Sequence, residues 1–505
     1  MNTFMNGLKA TANITLTENG ATTYKSSMNA LLDMFGMGAA YRARSEEDCI
    51  LLFKKAYDEN PTYALKCLFY IGDCRGGQGE RRFWRVCMKW LAKTDPEAAL
   101  RNMQYIPEYR RWDDLFTFVG TNLENDAFNM IKEQLALDVQ CQTPSLLGKW
   151  MPSENTSSQK TRAIANKMRI YLGMSHKQYR KTLSLLRERI NVLERLMSAK
   201  QWDKIEFDKI PSRAGLIYKN AFARHDIERI KNEVVQSYAD FAKDTTTKVN
   251  AKALYPYECV AEAMKIFRTG SYWSMRDLPA MDNTNRLMVN KYWDNLTDYF
   301  NGATFNGLAV VDTSGSMCSS DASAPINVAI SLGLYCAEKA KGPFAGHYVS
   351  FASRPQLIAT EGVDFVDKVY RIYRTNLVDN TNIEATFDLL LNTAIKNHCS
   401  QDDLPQNLII ISDMEFDAAR GWQASDTRSL MENIETKWNM AGYVMPKLIF
   451  WNVNARHNNI PMKVKNGISF VSGMSPSIFE QVMTGKTAFD LMYEVLDGDR
   501  YKNIG

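Results

Sequence analysis

Five short apolar runs punctuate the last two hundred residues of the chain: Gly307-Leu-Ala-Val-Val-Asp312, His347 to Phe351, Asn407-Leu-Ile-Ile-Ile-Ser-Asp413, Lys447-Leu-Ile-Phe-Trp-Asn-Val453 and Ile468-Ser-Phe-Val471. They are too short and too rich in β-branched residues for helices, and their unbroken apolarity predicts strands buried on both faces. Helical patterns fill the gaps at 325–341, 365–373, 383–397, 428–441 and 477–484. Strands alternating with helices predict a mostly parallel sheet covered on either face. Residues 301–505 therefore read as an α/β doubly wound domain.

The preceding three hundred residues lack such runs. Helical periodicity marks 47–57, 62–72, 81–92, 96–104, 113–119, 125–137, 160–173, 176–198, 213–222, 225–242 and 256–267, with turn signals between. Serial short helices predict a mainly α, helical-repeat (HEAT-like) domain over 1–300, although no fixed-period repeat stands out. Residues 277–301 read as a connecting segment. A chain of 505 residues has length for two such domains.

The net charge of +4 conceals an asymmetry. Residues 149–231 carry 19 Lys+Arg against 8 Asp+Glu, or +11, whereas 302–505 carry 17 against 22, or −5. A basic middle and an acidic C-terminal part predict different partners for each. No apolar run approaches the ~18 residues of a membrane span, and the first residues lack a signal-type apolar core. Nine cysteines without a Cys-x-x-Cys pair, and five scattered histidines, argue against a disulfide framework or a zinc site. A cytoplasmic location without membrane attachment is the expectation.

Two predicted strands end in aspartate, Asp312 and Asp413, and ligands of open parallel sheets bind beyond the carboxyl ends of the strands. Asp312-Thr-Ser314-Gly-Ser316 follows the first strand directly, so one carboxylate and two hydroxyls share a loop that Gly315 lets curl. Such hard oxygen donors suit Mg²⁺ or Mn²⁺. A capped βα turn uses the same residue types, but the second aspartate ending a later strand favours a metal cradle. Cys318 reads as a packing residue. The spacing resembles the metal-ion-dependent adhesion site of von Willebrand factor A domains, whose first loop reads D-x-S-x-S. That resemblance implies a metal set of Asp312, Ser314, Ser316, Thr381 and Asp413. Thr381 comes from Asp379-Asn-Thr-Asn-Ile-Glu384, where Asn380 replaces the family's glycine, so Thr375 stays open as its alternative. By the same resemblance the hydroxyls coordinate, the aspartates hold metal-bound waters, and one position accepts a protein partner's carboxylate.

Ser175-His-Lys-Gln178 predicts a capping box opening a helix at His176. Tyr179, Leu183, Leu186, Ile190, Leu193 and Met197 then mark its buried stripe. Lys177, Arg180, Lys181, Arg187 and Arg195 fall on one opposing arc of roughly 120°, and the preceding helix adds Lys160, Arg162, Lys167 and Arg169. Arg213, Lys219 and Arg224 back this arc. A solvated surface would look similar, but few acids interrupt the arc, which favours a phosphate-tracking nucleic-acid surface. Arg75-Gly-Gly-Gln-Gly-Glu-Arg81-Arg82 is not a Walker loop, because no Gly-Lys-Ser/Thr follows and it joins two helices. It reads as a helix–helix turn whose Arg75, Arg81 and Arg82 can also touch phosphates.

A set of stretches carries a wider resemblance: Thr17-Glu-Asn-Gly-Ala21, Asp73-Cys-Arg-Gly-Gly-Gln-Gly-Glu-Arg81, Lys149-Trp-Met-Pro-Ser-Glu154, Tyr179-Arg-Lys181, Ile210-Pro-Ser212, Val311-Asp-Thr-Ser-Gly-Ser316 and Ser412-Asp-Met-Glu-Phe-Asp417. Nearly end to end, the chain resembles a family known only as a domain of unknown function, itself similar in layout to the Ro autoantigen (TROVE) ribonucleoproteins. The resemblance implies a ring of helical repeats closed by an A-type domain. It also implies small noncoding RNAs on a basic outer surface and single-stranded ends of misfolded RNAs in the hole. The expected function is a non-enzymatic RNA-binding scaffold whose Mg²⁺ site recruits a protein partner; the alternative is a metal-dependent interaction adaptor or assembly component without RNA. Asp312, Asp413, Asp417 and a metal could support phosphoryl chemistry. Yet the sequence offers no general-base histidine at a strand end, no nucleophile elbow and no phosphate loop.

Overall fold

The computed structural model describes residues 12–232, 235–269, 274–318, 324–351, 354–375, 380–418, 428–482 and 486–505. The chain opens with a hairpin, β1 (Ile14–Leu16) and β2 (Thr22–Tyr24), in which Ile14 faces Tyr24. A helical run follows: α1 (Ala30–Met37), α2 (Glu46–Glu59), α3 (Pro61–Gly72), α4 (Arg81–Thr94), α5 (Pro96–Met103), α6 (Ile106–Tyr109), α7 (Glu124–Gln140) and α8 (Leu147–Trp150). It continues with α9 (Gln159–Tyr171), α10 (His176–Arg189), α11 (Leu193–Ser198), α12 (Ser212–Arg224), α13 (Asp226–Arg229), α14 (Tyr238–Lys243), α15 (Pro256–Phe267) and α16 (Thr284–Asp294). The starts are written locally. Ser45, Asn60 and Ser158 cap α2, α3 and α9 through side-chain oxygens, Ser175 and Gln178 form the expected capping box, and proline opens α3, α5 and α15. Helix lengths run from 4 to 17 residues, without a constant repeat unit among the described residues.

Four expectations in this half need correction. The 113–119 stretch is a 3₁₀ turn, Trp112–Phe118. The long helix expected over 176–198 breaks into α10 and α11 at Asn191, which adopts a left-handed conformation (φ 49°) that asparagine tolerates better than most residues. The 225–242 stretch divides because the Asp226 carboxylate takes the N–H groups of Tyr238 and Ala239 (2.6 and 3.3 Å), capping α14 from outside it. The supposed connector 277–301 holds α16, capped by Asn283, with Met288, Val289, Tyr292 and Trp293 buried.

The second half comprises β3 (Gly307–Asp312), α17 (Pro325–Lys339), β4 (His347–Phe351), β5 (Gln356–Ala359), α18 (Phe365–Thr375), α19 (Ile383–Lys396), β6 (Asn407–Ser412), α20 (Leu430–Met440), β7 (Lys447–Asn452), β8 (Ile468–Ser472), α21 (Phe479–Val482) and α22 (Ala488–Asp497). Its six-stranded sheet runs β5-β4-β3-β6-β7-β8, parallel except for β5, a half-exposed antiparallel edge without the apolar run of the others. The chain steps outward in both directions from the β3/β6 pair, which is the switch in strand order. Right-handed crossovers in opposite directions place α17 and α20 on opposite faces. Every residue of β3 and β6 is buried, as their apolar runs require.

The helical run docks on this α/β unit at both ends. At the start, α1 lies against β8 so closely that a Cβ on Gly36 would sit 2.9 Å from the Cβ of Phe470. At the end, α15 and α16 pack on α17 and α18, with Trp293 stacked on Phe365 at 4.1 Å. The last residues add a third tie: the Tyr501 hydroxyl donates to buried Asp73 (3.0 Å), which also pairs with Arg500. No helix among the described residues is long and apolar enough to cross a membrane.

Candidate metal cradle and basic cavity

Asp312 ends β3 beside Ser412 of β6, and Asp413 follows directly, so the two carboxylates come near enough at the switch point to interact. The Ser412 hydroxyl donates to Asp312 (2.5 Å), and the Ser314 N–H donates to its other oxygen (2.9 Å). Ser314 and Ser316 bring their hydroxyls within 3.1 Å of each other, and the Ser316 hydroxyl reaches Asp413. Of the two candidate threonines, Thr381 is buried against the loop that follows β6, its carbonyl accepting from Asp417 N–H (3.0 Å). Thr375 is exposed and bonds back to Arg371 of its own helix (2.9 Å). Asp379 lies outside the described residues.

The electrostatics of this cluster are those of two closely spaced buried acids. Asp312 and Asp413 are 0% and 1% exposed. Burial, reinforced by Asp413, pushes the Asp312 carboxyl up to about 7, against the pull of the Ser412 and Ser314 hydrogen bonds. Burial also raises Asp413, opposed chiefly by Arg456, whose guanidinium sits 3.2 Å from its carboxylate. Two buried, mutually repelling carboxylates beside paired hydroxyls form an all-oxygen donor set that fits Mg²⁺ or Mn²⁺.

The rim of the cradle is occupied by the N-terminal hairpin. The Thr17 hydroxyl donates to the Phe416 carbonyl (2.6 Å), the Glu18 N–H to buried Glu415 (2.7 Å), and the Asn19 amide to the Glu415 carbonyl (2.6 Å) and the Thr381 hydroxyl (3.4 Å). Gly20 (φ 87°) makes the turn, in a conformation that side chains resist. The Glu18 carboxylate pairs with Arg456, and ligand atoms of Glu18, Glu415 and His457 lie within 4.8 Å of one another.

A second feature lies in the helical half, a cavity of about 920 Å³. Eight Lys/Arg line it (Arg81, Arg110, Arg111, Lys149, Arg180, Arg187, Arg195, Arg213) against three acids, Asp114, Glu154 and Glu194. Aromatic rings of Trp150, Tyr179, Tyr218 and Tyr255 complete the wall, with Arg111 stacked 3.9 Å over Trp150. Buried Asp114 organises one side. Desolvation opposes its charge, but Arg110, Arg81 and Arg85 together hold its carboxyl well below the usual range. Arg110, 1% exposed over the Trp84 ring, keeps one guanidinium nitrogen without a hydrogen-bond partner. Gly79 (φ 65°) lets the 73–81 loop reach this wall, since a Cβ there would lie 1.9 Å from the Tyr255 hydroxyl.

The cations singled out from sequence divide into three groups. Arg81, Arg180, Arg187, Arg195 and Arg213 line the cavity, although the break at Asn191 takes Arg195 off the α10 arc and onto α11, where it pairs with Glu188. Arg187 is spent on the carbonyls of Gly148 and Met151 and the Ser153 hydroxyl (2.9–3.0 Å). Arg75 likewise binds carbonyls at the end of α6, Arg82 the Arg42 carbonyl, Arg162 the Thr156 and Ser157 carbonyls, and Arg169 the Met174 carbonyl. Lys167 pairs with Glu124 (2.6 Å), whereas Lys160, Lys177 and Lys181 are exposed on the outer surface. Periodicity missed Arg110, Arg111, Lys149 and Trp150 as cavity residues, because only tertiary packing brings α6, α8 and α10 together.

The chain thus combines a helical array around a basic cavity with an α/β unit carrying a hydroxyl-and-carboxylate cradle. It belongs to the family described as Domain of unknown function (DUF2828), matched over residues 17–143 and 149–302, and residues 306–502 match Domain of unknown function (DUF7788). It is 30% identical over 514 residues to the uncharacterized protein L728 of Acanthamoeba polyphaga mimivirus, covering 94% of this chain and 85% of that one. The crystal structure of the Deinococcus radiodurans RO (RSR) protein superposes with a TM-score of 0.41 at 13% identity, covering 94% of this chain and 100% of that chain.

Proposed function

We propose that the protein is a non-enzymatic RNA-binding scaffold that takes single-stranded RNA into the cavity of its helical half and holds a divalent ion, Mg²⁺ or Mn²⁺, in an adhesion-type site of an A-type domain. The observation that carries the reading is the cavity wall: eight cations against three acids, interleaved with the part-exposed rings of Trp150, Tyr218 and Tyr255. Guanidinium and ammonium groups meet phosphates, and the rings offer stacking platforms to unpaired bases, a pairing that suits single strands and not duplexes. The outer lysines 160, 177 and 181 give a further, weaker phosphate surface. Asp312, Ser314, Ser316, Thr381 and Asp413 would hold the ion. Nine free thiols fit a reducing, cytoplasm-like compartment.

Filter binding at ~100 mM salt tests this directly. A single-stranded RNA of mixed sequence is expected to bind at least tenfold more tightly than a duplex of the same length. Equal affinities would leave only a general basic surface, and no binding of either would end the RNA reading.

A further inference from the structure

We propose that this chain caps its own cradle: the turn of the N-terminal hairpin is the resident occupant of the rim where a partner's carboxylate would otherwise bind, and Glu18 is the acid it presents. The inference rests on the metal reading above and names the partner of that site as the chain itself.

The contacts carry it. Asn19 touches the Thr381 hydroxyl, one of the cradle's own donors, and Ala418 N–H donates to the Asn19 carbonyl (3.1 Å), so the turn is seated on the loop that follows Asp413. Thr17 and Glu18 fix it to the same loop through Phe416 and Glu415. Glu18 is the sole acid of residues 14–24. Its side chain is 48% exposed, with room to turn, and it stands one guanidinium from the cradle, since Arg456 pairs with both Glu18 and Asp413. A divalent charge beside Asp413 weakens the hold of Arg456 there, leaving Glu18 opposite a stronger cation. A carboxylate tethered in place acts at high effective concentration, so an external acid competes poorly for the same position. Metal occupancy and hairpin docking are then reciprocally coupled.

The test uses the full chain and Mn²⁺ alone as probe, read by titration calorimetry and by hydrogen exchange of residues 12–25. In the wild type, Mn²⁺ is expected to slow exchange in the hairpin. Glu18→Gln is expected to weaken Mn²⁺ binding about tenfold and to abolish that protection, and Asn19→Ala, which frees the turn without removing an acid, to act in the same direction. Unchanged Mn²⁺ affinity and unchanged hairpin protection in both variants would overturn the self-capping proposal alone. A wild type that binds no Mn²⁺ would instead remove the cradle beneath it.

Discussion

Asp312→Asn is expected to do two opposite things: abolish Mn²⁺ binding and stabilise the metal-free protein at pH 8. The sign follows from the raised carboxyl, which burial and Asp413 push to about 7. In the unfolded chain an aspartate titrates near ~3.9. The folded state therefore holds the proton more tightly, so this contribution is complete below the unfolded value of ~3.9, shrinks steadily as pH rises towards the folded value of about 7, and is gone above it. The EDTA-treated wild type should be about 1 kcal/mol more stable at pH 6 than at pH 8 from this group. The asparagine variant should show a flattened profile and exceed the wild type at pH 8. With saturating Mn²⁺ the order reverses, because only the wild type gains binding energy. Denaturant melts at the two pH values, with and without metal, check all of it; a variant less stable than EDTA-treated wild type at pH 8 would contradict the buried-charge account.

The second large effect concerns the cavity. Arg180 and Lys149 lie on its wall, and neither pairs with Asp113 or Asp114, whose ion pairs hold Arg81, Arg85, Arg110 and Arg111. The double variant Lys149→Glu/Arg180→Glu should bind single-stranded RNA at least a hundredfold more weakly, each reversal removing a favourable phosphate contact and adding a repulsive one. The slope of log affinity against log salt should fall by about two. Lys396→Glu, an exposed charge on α19 far from the cavity in sequence and element, serves as the control and should change little. Thermal melts of both variants separate lost binding from lost fold.

Particular residues show what was legible in advance and why the rest was not. The α/β half was readable because its strands are buried on both faces, so Leu308 to Val311 and Leu408 to Ile411 are apolar without a break. β5 escaped because an exposed antiparallel edge of four residues needs no such run. The pairing of Asp312 with Ser314 and Ser316 was local and could be read from one loop. The roles of Arg456, Ser412 and Asn19 depended on contacts across 43, 100 and 362 residues. In the helical half, the capping box at Ser175 and the helix-opening Pro256 located starts correctly, whereas the breaks at Asn191 and Asp226 were set by a single backbone conformation and a single carboxylate that periodicity does not register. Several stretches singled out for their resemblance, 73–81, 149–154, 179–181 and 210–212, all contribute to the cavity wall, while 17–21, 311–316 and 412–417 meet at the cradle. Their convergence on two places was not visible from spacing.

The central claim, RNA held inside the helical half, is tested most directly by photo-crosslinking a single-stranded RNA containing 4-thiouridine to the wild-type chain and mapping the modified peptides. Crosslinks are expected at Trp150, Tyr218 or Tyr255, lost in the Lys149→Glu/Arg180→Glu variant. Crosslinks confined to the outer face around Lys160 and Lys177, or to the α/β unit, would contradict it.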